Sequence, residues 1–226
     1  MANIRALFWD VGGVLLSNAW DHGERQRAAE KFDLDWSDFR ERHELLVAPL
    51  EEGRIGLDDY LDRVVFSQPR SFTMDEFKSY IFSLSTEKPE TLELARQLAA
   101  CSECVMATIN NESRELNEYR IQRFGLQEFF SHFVSSCFTH LRKPDPAIYR
   151  LALNLTQRKP EESCFIDDRP LNLEEAARIG MHTIHFRDAA QLREQLIALG
   201  VEFARNDEYV SSTQRKPRRV APTVKK

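Results

Sequence analysis

Apolar positions run unbroken through Ala6-Leu7-Phe8-Trp9, stop at Asp10, and resume at Val14-Leu15-Leu16 after Gly12 and Gly13. This predicts a buried strand that ends on a carboxylate and turns on glycine. From residue 18 to 86 the period changes. Residues 19–32, 36–46, 57–66 and 73–84 each place apolar or aromatic side chains three and four apart, the pattern of amphipathic helices, and no strand-like run interrupts them. From Lys88 the chain alternates. A helix from Pro89 to about Ala100 precedes a strand over 104–109, and a helix to Phe124 with Asn110 or Asn111 as its N-cap precedes a weaker strand over 129–135. Asp145 and Pro146 open a helix through Leu155, 163–167 is a strand, and Asn172 with Glu175 forms a capping-box-like start to a helix ending at Gly180. A strand over 182–186 and a helix capped by Asp188 and ended by Gly200 complete the series.

Such alternation predicts an α/β fold: a doubly wound, Rossmann-like parallel sheet with helices on both faces. Residues 1–17 and 87–205 then form the core, and 18–86 a small four-helix cap lying over one end of the sheet. Phe39, Tyr60, Phe66, Phe77 and Tyr80 are expected as the interior of that cap. Trp20, Asp21, His22 and Arg25 fall where the chain enters it, and suit either a helix start or contact with substrate.

Composition narrows the class without changing the fold. With 42% hydrophobic and 30% charged residues and no apolar run near the roughly 20 residues of a membrane span, no membrane partner is expected. The start of the chain leads into the strand without a signal-like segment, so the expectation is cytoplasmic. The four cysteines are too few and too scattered for a disulfide framework. The net charge of −5 includes six cations and no acid after Glu208, so the residues up to Glu208 carry −11. So acidic a body argues against nucleic acid as a partner. Residues 206–226 read as a basic, disordered tail.

In open parallel sheets ligands bind beyond the carboxyl ends of the strands. Those ends bring Asp10, Thr108, Lys143, Asp167 and Asp168 to one edge. Three carboxylates cannot sit together unanswered, and an all-oxygen cluster suits Mg²⁺. A lysine and a hydroxyl at the same edge suit a phosphoryl group, which a carboxylate can attack at phosphorus.

The residues Asp10-Val11-Gly12-Gly13-Val14-Leu15, Thr108, Arg142-Lys143-Pro144-Asp145-Pro146 and Phe165-Ile166-Asp167-Asp168-Arg169-Pro170 resemble, in order, the four motifs of the haloacid dehalogenase-like hydrolase superfamily. The helical insertion between the first two resembles the subfamily with a small four-helix cap. The resemblance implies a Mg²⁺-dependent phosphatase of small phosphomonoesters such as sugar phosphates. Asp10 would be the nucleophile forming an aspartyl-phosphate, and Asp10, the Gly12 carbonyl, Asp167 and Asp168 would hold the metal. Thr108, the amide of Ile109 and Lys143 would bind the phosphoryl oxygens, with Lys143 also touching the nucleophile. Two positions depart from the family pattern. Family phosphatases usually carry a second Asp two residues after the nucleophile, to protonate the leaving group and activate water, and here that position is Gly12. Many relatives have Asn where this chain has Ile109. The first departure keeps open a protein that binds metal and phosphate with little or no turnover. Carbon–halogen hydrolysis is a third reading, disfavoured because the metal-free dehalogenases of the family lack the acidic pair Asp167-Asp168.

Overall fold

The computed structural model describes residues 3–101 and 103–203. Strand β1 (Ala6–Trp9) is buried at every position, as a strand covered on both faces must be. Four helices follow: α1 (His22–Lys31), α2 (Trp36–Glu51), α3 (Leu57–Val64) and α4 (Met74–Ser83). Then α5 (Pro89–Cys101), β2 (Val105–Asn110), α6 (Arg114–Arg123), β3 (His132–Ser135) and the single turn α7 (Ser136–Thr139) follow in order. The chain continues through α8 (Pro146–Thr156), β4 (Ser163–Asp167), α9 (Pro170–Arg178), β5 (His182–His185) and α10 (Ala189–Ala198).

The five strands pair in the order β3-β2-β1-β4-β5, all parallel. Strand alternation divides the core into two layers. Leu7, Trp9, Met106 and Ile166 face α5 and α10, where Leu92, Leu98, Leu192 and Leu196 cover them. Phe8, Ala107, Ile109 and Phe165 face α8 and α9, covered by Ile148, Tyr149, Leu173 and Ala176. The doubly wound architecture expected from the alternation is therefore present.

The helices α1–α4 hold a separate apolar cluster. Phe39, Tyr60 and Phe77 are buried in it, with Phe66 and Tyr80 partly buried against it. The two passages joining this block to the sheet run side by side: Ser17 N–H donates to Thr86 O at 2.9 Å, and Lys88 N–H to Leu15 O at 3.0 Å. The end of α2 rests on α7 and the segment after it. Ser136 Oγ donates to Glu51 O at 2.6 Å, and Arg142 pairs with Glu51 at 2.7 Å. The block thus lies over the carboxyl edge of the sheet.

Several boundaries differ from the sequence expectations for local reasons. Strand β2 reaches Asn110, whose side chain is buried and bonded to Asn117 and Ser135, so it cannot cap α6; Ser113 occupies the N-cap position. Helix α9 starts at Pro170, and Asn172 turns inward to Asp167 instead of capping. Phe129 and Phe130 follow a short 3-10 turn and pack into the core, which shortens β3. Helix α2 runs five residues past the expected Leu46, with Pro49 inside it. Among the described residues no helix is long and apolar enough to cross a membrane. The basic tail lies outside the described residues.

Candidate active site

The site begins with a register. Trp9 of β1 pairs with Thr108 of β2 and with Ile166 of β4. One step on, Asp10 leaves β1 as Asp167 ends β4, so the two carboxylates emerge at the same edge. Asp10, Asp167 and Asp168 each offer an oxygen within 4.8 Å of the others. Asp167 is fully buried and well supplied with donors: its Oδ1 accepts from Arg169 N–H at 2.8 Å, and Asn172 Nδ2 reaches both oxygens at 3.1 and 3.0 Å. Asp168 differs, because its Oδ1 is buried and has no hydrogen-bond partner among the described residues.

The cation that answers part of this charge is Lys143. Its Nζ lies 2.8 Å from Asp10 Oδ1 and 2.7 Å from Asp167 Oδ2. Asn111 fixes the backbone that carries it, donating to Lys143 O at 2.9 Å and accepting from Lys143 N–H at 2.8 Å. Burial opposes the charge on Lys143, yet the carboxylates of Asp10 and Asp167 outweigh it and hold the ammonium above the ordinary lysine value. Burial pushes the Asp10 carboxyl up to about 7 against the pull of Lys143, with Asp167 and Asp168 adding to the rise. One ammonium against three carboxylates leaves the cluster short of positive charge.

The glycine turn shapes the other wall. Gly13 has a φ of +75°, and a Cβ there would lie 2.2 Å from Asp168 Oδ2. Only glycine allows the turn and Asp168 to approach so closely. Gly12 faces Asn18 Oδ1 and the guanidinium of Arg120, at 3.0 and 3.7 Å from where its Cβ would stand.

Above the cluster a cavity of about 820 Å³ opens between the sheet edge and the helical block. Asp10, Gly12 and Lys143 line its floor, Trp20 comes from the segment leading into α1, and Arg25 and His43 come from α1 and α2. Asp21 and His22 also reach it, and Asp21 caps α1 by accepting from Glu24 N–H at 2.9 Å. The helix start expected for this stretch is therefore present, and the same residues line the cavity. A relay supports the roof: Trp20 Nε1 donates to Tyr60 Oη at 3.3 Å, and Tyr60 Oη lies 2.8 Å from His43 Nδ1. With Trp20 donating to Tyr60 Oη, the hydroxyl proton is free to be donated to Nδ1, which places the proton of neutral His43 on Nε2. Burial, with the Arg25 charge acting the same way, pulls His43 down to about 3 and keeps it neutral.

The side chains of Thr108 and Ile109 do not join this cluster. Thr108 shares the sheet face of Trp9, fully buried, and its Oγ1 has no partner among the described residues. Ile109 shares the face of Phe8 and Phe165, and its side chain belongs to the apolar core. Neither side chain lines the cavity; the residues that follow β2, Asn111, Glu112 and Ser113, do. Sequence reasoning missed Asn111, Glu112, Arg120 and Asn172. The position of Asn111 and Glu112 directly after β2 was the available signal; Arg120 and Asn172 arrive from helices and left none.

Comparisons with known proteins place the family and the fold. The family model for "haloacid dehalogenase-like hydrolase" matches residues 4–180. The chain is 30% identical over 162 residues to flavin mononucleotide hydrolase 1 of Arabidopsis thaliana, an alignment covering 71% of this chain and 64% of that protein. It is 30% identical over 141 residues to bifunctional epoxide hydrolase 2 of Rattus norvegicus, covering 61% of this chain and 26% of the rat protein. The match therefore spans less than two thirds of either relative. In fold it is similar to a HAD family enzyme of Bacteroides thetaiotaomicron solved with magnesium and inorganic phosphate, with a TM-score of 0.69, 21% identity, and coverage of 82% of this chain and 95% of that one.

Proposed function

This chain belongs to the haloacid dehalogenase-like hydrolase family, and from that premise we propose that it is a Mg²⁺-dependent phosphatase of small phosphomonoesters, such as sugar phosphates. The observation that carries the proposal is Lys143 Nζ bridging Asp10 and Asp167 at 2.8 and 2.7 Å at the foot of a substrate-sized cavity. Lys143 supplies one positive charge to three carboxylates, and the unpartnered Asp168 Oδ1 is an oxygen still in want of a cation. An all-oxygen donor set with this deficit fits Mg²⁺. Asp10, Asp168 and the Gly12 carbonyl would hold it, with Asp167 beside them. When bound, the cation neutralises phosphoryl charge and keeps Asp10 ionised.

The remaining chemistry belongs to the chain. Asp10 attacks phosphorus and becomes the aspartyl-phosphate. Lys143 orients the Asp10 carboxylate and stabilises charge on the phosphoryl oxygens. Asn111 and Asn172 keep Lys143 and Asp167 in place. The helical block, taken as the cap over residues 18–86, shelters the intermediate from bulk water and offers Trp20, Arg25 and neutral His43 to the leaving group. The names of the relatives support a phosphate-ester substrate, since one is a flavin mononucleotide hydrolase.

The test is phosphate release from a panel of sugar and aryl phosphomonoesters with Mg²⁺, with chelator, and with Asp10→Asn. Turnover that disappears under both perturbations fits the proposal. Turnover that survives both overturns it.

A further inference from the structure

The family's second aspartate is absent here, yet the space it would enter is not inert. Beside Gly12 stands the guanidinium of Arg120, its Nη1 3.7 Å from the position of a residue-12 Cβ. The same Nη1 lies 3.0 Å from Glu112 Oε2. One buried nitrogen therefore joins the vacant acid position to a carboxylate that arrives from another strand end.

We propose that Glu112 is the proton donor and acceptor of the reaction, in place of a carboxylate at position 12. The inference rests on the phosphatase reading above. Glu112 lines the same cavity as Asp10 and Lys143, and its side chain is 12% exposed. It is held on both sides: Ser113 N–H donates to its Oε1 at 2.9 Å, and its own N–H donates to Ser136 Oγ at 3.0 Å. Arg120 is itself anchored by Ser85 Oγ at 3.1 Å and Ser17 O at 2.8 Å. The charged and titratable groups around the carboxyl are Arg120 on α6, Glu51 on α2 and Cys137 on α7. Burial and Glu51 raise its pKa while Arg120 and the Ser113 bonds lower it, and burial prevails, to about 7. Both protonation states are then accessible near neutral pH. Of the other cavity carboxylates, Asp21 caps α1, and Glu51 pairs with Arg142 as Glu112 pairs with Arg120; it is the guanidinium paired with Glu112 that stands beside Gly12. His43 is kept neutral by burial.

In the first step an Asp10 carboxylate oxygen bonds to phosphorus. The phosphorus–oxygen ester bond breaks, and the Glu112 proton passes to the departing oxygen, releasing an alcohol. In the second, the Glu112 carboxylate takes a proton from water as the water oxygen attacks phosphorus. The bond to Asp10 breaks, phosphate leaves, and Glu112 is again protonated.

Leaving groups of different basicity separate this role from a structural one. Nitrophenolate departs without a proton, whereas a sugar alkoxide does not. With Glu112→Gln, p-nitrophenyl phosphate should give a burst of one nitrophenol per enzyme followed by slow turnover, and a sugar phosphate should lose roughly 10²–10⁴-fold in kcat without a burst. A variant within about tenfold of wild type on the sugar phosphate overturns the proposal, as does an equal loss on both substrates with no burst. Should the variant not fold, the wild-type enzyme decides. A kcat/KM that varies little between aryl and alkyl esters supports a built-in acid, and a steep dependence on the leaving group overturns one. Wild-type protein without Asp10-dependent turnover fails the phosphatase reading itself and removes this inference with it.

Discussion

Replacing Lys143 by Met asks how far this cluster depends on one ammonium. Lys143 Nζ is 2% exposed at the side chain and contacts two carboxylates at 2.8 and 2.7 Å. Methionine keeps most of the stem and removes the charge. What remains is Asp10 and Asp167, both buried, facing each other with no cation between them. Removing one partner of a buried ion pair costs about 3–5 kcal/mol, because the other charge is left without compensation. Protonation of Asp10, already pushed up to about 7, would relieve part of this. A loss of about 3 kcal/mol in chelator at neutral pH is therefore expected, roughly 6–12 °C in Tm for a domain of this size. Arg142→Met is the control: its pair with Glu51 is partly exposed and should cost at most about 1 kcal/mol. The assay is denaturant unfolding of both variants and wild type, with chelator and with Mg²⁺. Mg²⁺ should stabilise Lys143→Met more than it stabilises wild type, because the cation then supplies the missing charge. A Lys143→Met variant within about 1 kcal/mol of wild type in chelator would refute the reasoning.

Three further outcomes follow from single contacts. Gly12→Asp should raise phosphatase activity and restore turnover to Glu112→Gln, since its Cβ needs only a small shift of Asn18 and its carboxylate would meet Arg120; unchanged or lower rates in steady-state assays would show that the loop cannot use that group. Gly13→Ala should weaken Mg²⁺ binding at least tenfold by calorimetry, roughly 1.4 kcal/mol, because its Cβ would stand 2.2 Å from Asp168 Oδ2 at a positive φ; unaltered affinity would contradict the role given to Asp168. His43 titrates at about 3 in the fold and near 6.5 when unfolded. The unfolded chain therefore binds the proton first, and stability present above pH 6.5 is lost as pH falls, by about 2 kcal/mol between pH 8 and 5. Unfolding midpoints should show that loss in wild type and not in His43→Gln, and equal pH slopes would count against a neutral buried His43.

How much of this was legible in the sequence depended on whether a signal was local. Asp10, Asp167 and Asp168 sit where apolar runs stop, so strand ends and carboxylates could be read together. Lys143 was legible only through its neighbours Pro144, Asp145 and Pro146, and the structure brings it to Asp10 across more than a hundred residues. Thr108 shows the limit of that reasoning. The strand continues two residues past it to Asn110, and a shift of one position in a strand moves a side chain to the opposite face. Thr108 therefore sits within the strand and not at its end, its side chain on the α5 and α10 side with Trp9, and Ile109 lies on the α8 and α9 side. Asn110 looked like a helix cap because asparagine often is one, but two buried partners, Asn117 and Ser135, hold it in β2. Arg120 was illegible for a different reason. It is buried in the middle of a polar helix, and its partners Ser17, Ser85 and Glu112 are distant in sequence or on another turn of chain.

The central claim is that Asp10 carries the phosphoryl group. The most direct measurement is mass spectrometry of the peptide containing Asp10 after acid quench during turnover of p-nitrophenyl phosphate with Mg²⁺. A phosphoryl adduct on Asp10, absent in chelator and in Asp10→Asn, is the predicted result. Phosphate release that proceeds with no adduct on Asp10, or with the adduct on another residue, would contradict the account.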